Sequence, residues 1–428
     1  MGDKTGSSGS GRIGRRRLLL YGLAGTGAVT TGAFFGYNEY LRRAEREETL
    51  TSGGRGFLAP TGASLTRRRR LGRTGLDVSV VGIGAGGLEG TGPIHRAVER
   101  GMNYIDTSAC YGRGSSENLI GRAIKETPAL RDKLIIATKW DAGAHMPRAR
   151  MLESLDESLK RLGVDHVDIM QIHQLGDHSA GDDGFSRLDN PELSEAMEAA
   201  KKAGKARFFG ATGHTGNRTA ILSHAIDKGA FDMILVKMNV LDNETADIPK
   251  LLAKAKAKDV GVAVMKSQPS GGAMPAGFAG KKWNVYQANL RWALAQDIAS
   301  VVHSGVGTDE EVQDLAIGAA YDELGAIDRE LLDRYAQAMS PEYCRGCDDV
   351  CTRACPDGVA IPTVLRAVMY DRHYGTAAYA AYARDVYAEL SEKARWSERC
   401  LACNACSSAC PHGVDAAERV RSARATLV

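Results

Sequence analysis

The sequence has almost no excess of charge of either sign, and this excludes one large class of function. Its 428 residues contain 55 lysines and arginines against 52 aspartates and glutamates, which gives a net charge of +3. Proteins that bind nucleic acid usually present a concentrated basic face, so we expect no nucleic acid partner. Hydrophobic residues form 43% of the chain, enough for a large core, and the length favours two or more domains.

Cysteine is nearly missing from the first 343 residues, where Cys110 stands alone. This distribution excludes a disulfide framework that staples the whole chain. The other eight cysteines fall in two dense runs near the C-terminus, so they predict a function confined to that part of the chain. Cys110 is interpreted as a packed cysteine and not a nucleophile, because the sequence places no base beside it.

The first 37 residues are typical of an export signal. Arg15, Arg16 and Arg17 precede an uncharged, Gly- and Thr-rich stretch at residues 18–37. This pattern resembles the twin-arginine signal, which carries folded proteins across a bacterial membrane. The alternative is a membrane anchor, because the stretch is about long enough to span a bilayer. We therefore expect a periplasmic protein, or one anchored to the membrane and facing outward.

A linker is expected at residues 38–66, where charged residues alternate with Gly, Pro, Ser and Thr. The basic run at residues 67–70 is interpreted as a solvated segment that enters the next domain or lies on lipid headgroups.

The middle of the chain alternates short apolar runs with helical patterns. Eight strands interleaved with helices predict an α/β fold, a (β/α)8 TIM barrel, over residues 67–325. The expected strands are residues 78–83, 103–106, 133–138, 167–172, 206–210, 233–236, 261–265 and 300–303. The chemistry of such barrels lies at the C-terminal ends of the strands, so polar residues at those ends become the candidates.

Four polar side chains occupy such positions: Asp106, Tyr111, Lys139 and His173. Together they predict a proton-donor site. We expect the lysine to favour phenolate and lower the tyrosine pKa, while the aspartate keeps the lysine charged and oriented. The histidine would then donate a hydrogen bond to a substrate carbonyl oxygen.

The residues of this region resemble the aldo/keto reductase family. The motifs are Leu71-Gly72-Arg73-Thr74-Gly75, Asp106-x4-Tyr111-Gly112, Thr138-Lys139 and Gln171-Ile172-His173. The resemblance covers about residues 65–323 and implies that Asp106, Tyr111, Lys139 and His173 are the catalytic tetrad. It further implies that Tyr111 protonates a small-molecule carbonyl substrate while NAD(P)H delivers hydride.

The match is weaker around the nicotinamide, where Leu235 replaces a family glutamine and Lys266 replaces a stacking aromatic residue. The expected contacts are Thr212, Gly213, His214, Lys266, Gly305, Gly307 and Thr308. Gly305, Gly307 and Thr308 offer a phosphate cradle at a helix start. The acids that follow would repel a 2′-phosphate, so NADH is slightly preferred over NADPH. The glycines at residues 82–87 are interpreted as a barrel turn and not a dinucleotide fingerprint, because the rest of a Rossmann unit is missing.

The tail, residues 326–428, carries the second chemistry. The first run is Cys344-x2-Cys347-x3-Cys351-x3-Cys355-Pro356, and the second is Cys400-x2-Cys403-x2-Cys406-x3-Cys410-Pro411. The second run reproduces the bacterial 4Fe–4S pattern, in which the fourth cysteine binds the other cluster. We therefore assign two 4Fe–4S clusters: one to Cys344, Cys347, Cys351 and Cys410, the other to Cys400, Cys403, Cys406 and Cys355.

Disulfides and zinc are the alternatives for these cysteines. Helices are expected at residues 361–370 and 377–393, so the tail resembles the α-helical ferredoxin domains of respiratory enzymes. The sequence thus predicts an oxidoreductase with a redox partner protein. The alternatives are an electron-transfer protein whose barrel is a docking scaffold, and a membrane-anchored protein of cluster sensing or assembly.

Overall fold

The computed structural model describes residues 67–140, 143, 145–176, 184–214, 217–242, 247–268, 278, 282–296, 298–320, 324–373 and 377–428. The predicted export signal and linker, residues 1–66, lie outside the described residues. Barrel and tail belong to the same compact unit. No helix among the described residues is both long and apolar enough to cross a membrane.

Eight parallel strands close into a barrel, which confirms the predicted fold. Their order around the barrel is that of the chain, with the last strand beside the first. The strands are β3 (Val81–Gly84), β4 (Tyr104–Asp106), β5 (Ile135–Trp140), β6 (Val167–Leu175), β7 (Ala206–Gly213), β8 (Met233–Lys237), β9 (Gly261–Met265) and β10 (Val301–Gly305).

A short antiparallel hairpin precedes the barrel and consists of β1 (Arg68–Arg70) and β2 (Asp77–Ser79). The predicted first strand, residues 78–83, is therefore two strands. Leu71, Leu76 and Val78 of this hairpin pack in one core cluster with residues of the barrel strands. Gly72 has φ +48°, and a Cβ there would lie 2.2 Å from the backbone nitrogen of Gly261. A side chain does not fit at this approach, so the hairpin seals the barrel closely.

The basic run at residues 67–70 leads into this hairpin and is solvated in part, since Arg68 and Arg70 are exposed whereas Arg67 and Arg69 are half-buried. Arg69 is partly buried and donates to the carbonyl oxygen of Leu294 at 3.1 Å. Arg70 pairs with Asp259 at 2.6 Å. Guanidinium groups satisfy carbonyl oxygens at the ends of neighbouring elements, so the run attaches the hairpin to the barrel.

Helices surround the barrel, and their amphipathic sequences bury one face each against the strands. They are Gly92–Glu99, Ser115–Glu126, Leu130–Lys133, Arg148–Leu162, Phe185–Asp189, Pro191–Lys202, Arg218–Lys228, Asp247–Ala257, Lys282–Leu294 and Asp309–Ala319. The helix Ala326–Met339, assigned to the tail from sequence, pairs with the barrel helix Lys282–Leu294 through Arg291 and Asp328, 2.6 Å apart. It therefore belongs with the barrel by its packing.

The remaining tail is helical, as predicted. Its helices are Asp348–Ala354, Ile361–His373, Ala377–Glu389, Glu392–Arg395, Ala405–Ala409 and Ala416–Thr426. Val359, Val364, Val386 and Val420 lie in its hydrophobic core, and several of the cysteines pack against that core. The tail thus has a core of its own.

Candidate functional site

A buried ion pair forms the base of the candidate site. Asp106 ends β4 and Lys139 lies in β5, and the Nζ atom of Lys139 donates to Oδ1 of Asp106 and to the carbonyl oxygen of Thr107. Both side chains are 0% exposed. Burial favours the protonated acid, but the charge of Lys139, nearby His303 and hydrogen bonds from Lys139 and Gln171 outweigh it and lower the pKa of Asp106. The pair is therefore ionised.

Tyr111 stands over this pair, with its ring centroid 4.6 Å from Nζ of Lys139. Burial raises the pKa of Tyr111 well above its ordinary value, and the negative charge of Asp106 raises it further. The predicted lowering of this pKa by Lys139 was wrong as the net direction, because burial is the largest influence on the phenol and the charge of Asp106 adds to it. The phenol is thus held in the protonated form, the form in which it can donate a proton.

His173 completes the group of four from β6. Its ring is edge-on to that of Tyr111, with centroids 6.0 Å apart, and its backbone carbonyl accepts from Nη2 of Arg187 at 2.8 Å. Nδ1 of His173 lies 3.7 Å from Sγ of Cys110. The expectation that no base stands beside Cys110 was therefore wrong, although the histidine faces Tyr111 as well.

Two further polar residues complete the surroundings of Asp106: Gln171, which the sequence showed only as part of a motif, and His303, which was not a candidate. Gln171 donates from Nε2 to Oδ2 of Asp106 at 2.8 Å, and Nε2 of His303 lies 3.9 Å from Oδ1. Burial lowers the pKa of His303 to about 4, although Asp106 opposes the shift. Both residues sit on barrel strands, β6 and β10, so their signal was a polar side chain within an apolar strand.

The mouth of the barrel is a cavity of about 170 Å³ whose roof comes from the tail. Asp106, Tyr111 and His173 line its floor. The tail helices Ile361–His373 and Ala377–Glu389 contribute the side chains opposite, which are Arg366, Tyr370, Tyr379 and Tyr382. None of these four was a candidate from sequence. The tail is therefore a wall of the candidate active site.

Hydrogen bonds join the roof to the ends of the barrel strands. Nε2 of Gln174 donates to the hydroxyl of Tyr382, and Nζ of Lys266 donates to the hydroxyl of Tyr370. Gln174 and Lys266 have φ values of +50° and +54°. Such left-handed backbone costs about 1–3 kcal/mol for residues other than glycine and concentrates at functional sites. Two of the barrel residues that hold the roof therefore carry this strain.

The residues predicted for nicotinamide binding divide into two groups. His214, Lys266, Gly305 and Gly307 line the cavity. Thr212 is buried, and its Oγ1 accepts from the backbone nitrogen of Gln174 at 2.9 Å. Gly213 is buried against Arg218 and Leu222, and Thr308 caps the helix Asp309–Ala319. The structure thus brings four of the seven to the cavity.

The predicted phosphate cradle is already satisfied by a carboxylate of this chain. Gly307 donates its backbone N–H to Oε2 of Glu311 at 2.7 Å, and Oγ1 of Thr308 accepts from the backbone nitrogen of Glu311. A Cβ on Gly305 would lie 3.3 Å from the hydroxyl of Tyr379. Glu311 therefore occupies an anion position that the cradle would offer to a phosphate.

Four cysteines from both runs surround one small cavity in the tail. They are Cys355 of the first run with Cys400, Cys403 and Cys406 of the second. Burial raises the pKa of the Cys406 thiol, and the neighbouring Cys355 and Cys400 thiols raise it further. The backbone N–H of Val359 points to Sγ of Cys355 at 3.4 Å, a donor of the kind that cluster sulfurs accept. This grouping is the one assigned from sequence.

The other four cysteines lie together beside the barrel. Burial raises the pKa of Cys344, and the Cys347 and Cys410 thiols raise it further, whereas Lys237 lowers it. Burial raises the pKa of Cys351 to about 12, with contributions from the Cys344 and Cys410 thiols and a smaller one from Cys406 of the other group. Cys410 thus crosses from the second run to the first, as the 4Fe–4S pattern requires.

The two cysteine runs end in the same way. In each, a proline follows the last cysteine (Pro356 and Pro411), and a glycine two residues further on has a positive φ, +72° at Gly358 and +71° at Gly413. The nine cysteines all lie among the described residues, and none of them forms a disulfide there. Within the described ranges, no three His, Cys, Asp or Glu side chains form a site for a single metal ion.

Comparison with known families identifies both parts of the chain. The sequence model of the aldo/keto reductase family matches residues 91–278, and that of the 4Fe–4S dicluster domain matches residues 343–414. The chain combines an aldo/keto reductase domain with a 4Fe–4S domain. The catalytic geometry of the reductase domain and the crossed cysteine groups of the tail agree with these two matches.

Similar proteins cover the reductase domain. L-galactose dehydrogenase of Arabidopsis thaliana is 33% identical over 45% of this chain and 63% of its own length. A 6-dehydroglucose reductase of Novosphingobium aromaticivorans is 30% identical over 36% of this chain and 54% of its own length. A thermostable aldo-keto reductase solved with the inhibitor epalrestat is 26% identical, with a TM-score of 0.50, over 63% of this chain and 100% of its own.

This chain therefore spans less than two thirds of the curated relatives named above. Those relatives are a dehydrogenase and a reductase, so the barrel resembles proteins of the oxidoreductase class.

Proposed function

We propose that the protein is a nicotinamide-dependent oxidoreductase that interconverts a small-molecule carbonyl and alcohol, with two 4Fe–4S clusters for electron transfer. The observation that carries the proposal is the convergence of Asp106, Tyr111 and His173 on one cavity, with Lys139 bonded to Asp106 and in contact with the Tyr111 ring. Three neighbouring strands and the loop that follows the first of them supply these groups, and a protonated phenol lies at their centre. Such a group serves carbonyl reduction in one direction and alcohol oxidation in the other.

Each of the four residues has a distinct part in proton transfer. Tyr111 would donate its phenol proton to the carbonyl oxygen, and the nearby Lys139 charge would stabilise the phenolate that results. Asp106 holds Lys139 in place, and Gln171 holds Asp106. His173 would orient the carbonyl oxygen toward Tyr111. The roof helices exclude water, which strengthens these electrostatic interactions.

A nicotinamide dinucleotide would supply the hydride when it is bound. The lining of the cavity fits it near Tyr111, where His214 stands, and fits it poorly at the phosphate end, where Glu311 holds the N–H of Gly307. Binding of the pyrophosphate would require this carboxylate to release Gly307. Glu311 and Asp314 line the same cavity, and their negative charge supports NADH over NADPH, which carries an additional phosphate.

We propose that Cys344, Cys347, Cys351 and Cys410 hold one cluster and that Cys355, Cys400, Cys403 and Cys406 hold the other. The crossed grouping of the thiols supports this assignment. The clusters would exchange single electrons with a redox partner protein. We further propose export of the folded, cluster-loaded protein by the twin-arginine route, with residues 1–37 as signal or membrane anchor.

A second candidate function is an electron-transfer protein whose barrel is a docking scaffold. Two contacts favour it: the bond of Gly307 to Glu311 and the position of Tyr379 over Gly305. Both would stand in the path of a dinucleotide.

Titration of the anaerobically purified full chain with NADH and with NADPH separates the two functions. Nucleotide binding is followed by calorimetry and cluster reduction by absorbance, with dithionite as the control reductant. Binding of a nucleotide and turnover of a carbonyl substrate, lost in Tyr111→Phe, would support the reductase. Reduction of the clusters by dithionite without binding of either nucleotide would refute it and favour the scaffold.

A further inference from the structure

The cavity above Tyr111 is built from two domains, so a bound substrate would touch both. The barrel supplies Tyr111, His173 and Lys266, and the tail supplies Arg366 and Tyr370. Lys266 reaches the roof directly, since it donates to the hydroxyl of Tyr370 and lies 4.5 Å from the centroid of that ring. Any specificity at this site therefore involves the tail.

Positive charge is concentrated at one end of this cavity, around His214. Burial lowers the pKa of His214 well below its ordinary value, and the charges of Lys266 and Arg366 lower it further. The same three residues also line the smaller neighbouring cavity between barrel and tail. One cation comes from the end of β9 and the other from the helix Ile361–His373, so neither domain alone makes this end of the site.

Three of the carboxylates that line these cavities, those of Asp106, Glu342 and Glu311, have partners other than Lys266 and Arg366. Asp106 is paired with Lys139, and Glu342 with Arg419 at 2.6 Å. Glu311 and Asp314 belong to the helix Asp309–Ala319, where Glu311 binds the N–H of Gly307. The end with Lys266 and Arg366 brings two cationic side chains to the lining of both cavities and is complementary to an anion.

Neutralisation of a cluster is a rival role for these cations, but another lysine is better placed for it. Lys237 is buried, acts electrostatically on Cys344 and lies 5.1 Å from the ring centroid of Tyr343, next in sequence to that cysteine. Lys266 and Arg366 act on His214 instead. The two sets of charges thus face different groups.

We propose that the substrate is an anionic carbonyl compound, bearing a carboxylate or phosphate that binds Lys266 and Arg366 while its carbonyl meets Tyr111 and His173. The inference rests on the proposed reductase function and adds the class of substrate. Arginine binds carboxylate and phosphate in a planar, two-pronged geometry. The iron–sulfur domain is thereby part of the substrate site.

The test compares charged and neutral substrates of matched size on the anaerobic full chain with NADH. The pairs are succinic semialdehyde with butanal and glyceraldehyde 3-phosphate with glyceraldehyde, so that carboxylate and phosphate are distinguished. We expect the wild type to favour one charged member strongly in kcat/KM. Lys266→Met and Arg366→Gln should each reduce that preference about 10- to 100-fold, the usual effect of losing a charged hydrogen bond.

Arg113→Gln is the matched control. Arg113 joins the barrel to the tail through Asp385 at 2.6 Å but is 81% exposed and does not line the cavity. We expect its kcat/KM values to stay within about twofold of wild type. A loss of preference in the control equal to that in Arg366→Gln would attribute the effect to domain contact and overturn the proposal.

Binding of butanoate, measured by calorimetry, provides a readout that needs no turnover. Arg366-dependent binding without turnover of any substrate would refute the reductase function and retain the anion site. Equal kcat/KM for charged and neutral substrates in wild type would overturn the anion site and retain the reductase. Unchanged substrate preference in both variants, with a shifted cluster potential, would assign the cations to the cluster and also overturn it.

Discussion

Removal of Lys139 should destabilise the barrel, because it would leave Asp106 buried without its counter-charge. Both side chains are 0% exposed, and breaking such a buried pair from one side costs about 3–5 kcal/mol. Lys139→Met would also remove the donor to the carbonyl oxygen of Thr107, at 2.6 Å. We therefore expect the free energy of unfolding to fall by about 3–5 kcal/mol in this variant.

The double variant Asp106→Asn with Lys139→Met gives the sharper expectation. It removes both charges, so its loss of stability should be smaller than the sum of the two single losses by about 2 kcal/mol or more. Lys205→Met is the surface control, because Lys205 pairs with Asp156 at 2.5 Å with both side chains more than a third exposed. Such exposed pairs contribute at most about 1 kcal/mol.

Urea unfolding of the full chain measures these differences. Tryptophan fluorescence reports on the barrel when it is measured in a Trp396→Phe background, because Trp396 lies in the tail core whereas Trp140 is buried next to Lys139 in β5. Cluster absorbance follows the tail separately. Additive effects of Asp106→Asn and Lys139→Met, or a loss in Lys139→Met no larger than in Lys205→Met, would refute the idea that the two charges stabilise each other in a dry interior.

Three further predictions follow from the site. Tyr111→Phe should lower kcat about 100- to 10,000-fold in steady-state assays with unchanged cluster spectra; undiminished turnover would exclude the phenol as proton donor. If the cysteine runs cross, Cys355→Ser and Cys351→Ser should each lose a different cluster, as followed by iron content and electron paramagnetic resonance; loss of the same signal in both would contradict the crossing. Because the pKa of buried His303 is about 4 when folded and near 6.5 when unfolded, its neutral form contributes stability above pH 6.5 that is lost as pH falls toward 4. Between pH 6.5 and pH 4, the free energy of unfolding should therefore fall by about 3 kcal/mol less in His303→Gln than in wild type. Urea unfolding at several pH values measures this difference, and identical pH profiles for the two proteins would contradict the burial effect.

The barrel and its four catalytic candidates were predictable because their signals are local. Strands such as β6 and β9 are apolar runs of the expected length, and the polar residues Asp106, Lys139 and His173 fall at their ends. Parallel strands bring such ends to one face. The pattern could not separate β2 from β3, because Val78 and Val81 are equally apolar and only the pairing partner differs.

The roof could not be predicted, because its residues look like ordinary core positions. Tyr370 and Tyr379 lie on amphipathic helices whose other faces pack in the tail core, and nothing local states which surface their rings will meet. Contact between domains depends on the packing of both, which one-dimensional periodicity does not contain.

The occupied phosphate cradle, by contrast, had a readable signal. Thr308-Asp309-Glu310-Glu311 matches the capping-box pattern, in which the third helical residue reaches back to the start of its own helix. Glu311 does reach back, although to Gly307 and not to the cap residue itself. A helix start with its own acid at this position satisfies its N–H groups internally, so glycines alone do not predict a phosphate site.

The group of Cys344, Cys347, Cys351 and Cys410 lies near the cavity, so the fusion of the two domains can serve two separate purposes. One is electron exchange between the clusters and the barrel, and the other is structural. Hydride transfer moves two electrons together, whereas a 4Fe–4S cluster accepts one, so electron exchange between them requires a carrier that accepts both. The structural part needs no such carrier. Cys344 and Arg366 line the same small cavity as His214 and Lys266, so a cluster bound there would hold the roof against the barrel. On this argument, the tail would contribute to substrate binding even in a protein whose clusters never exchange an electron with the barrel.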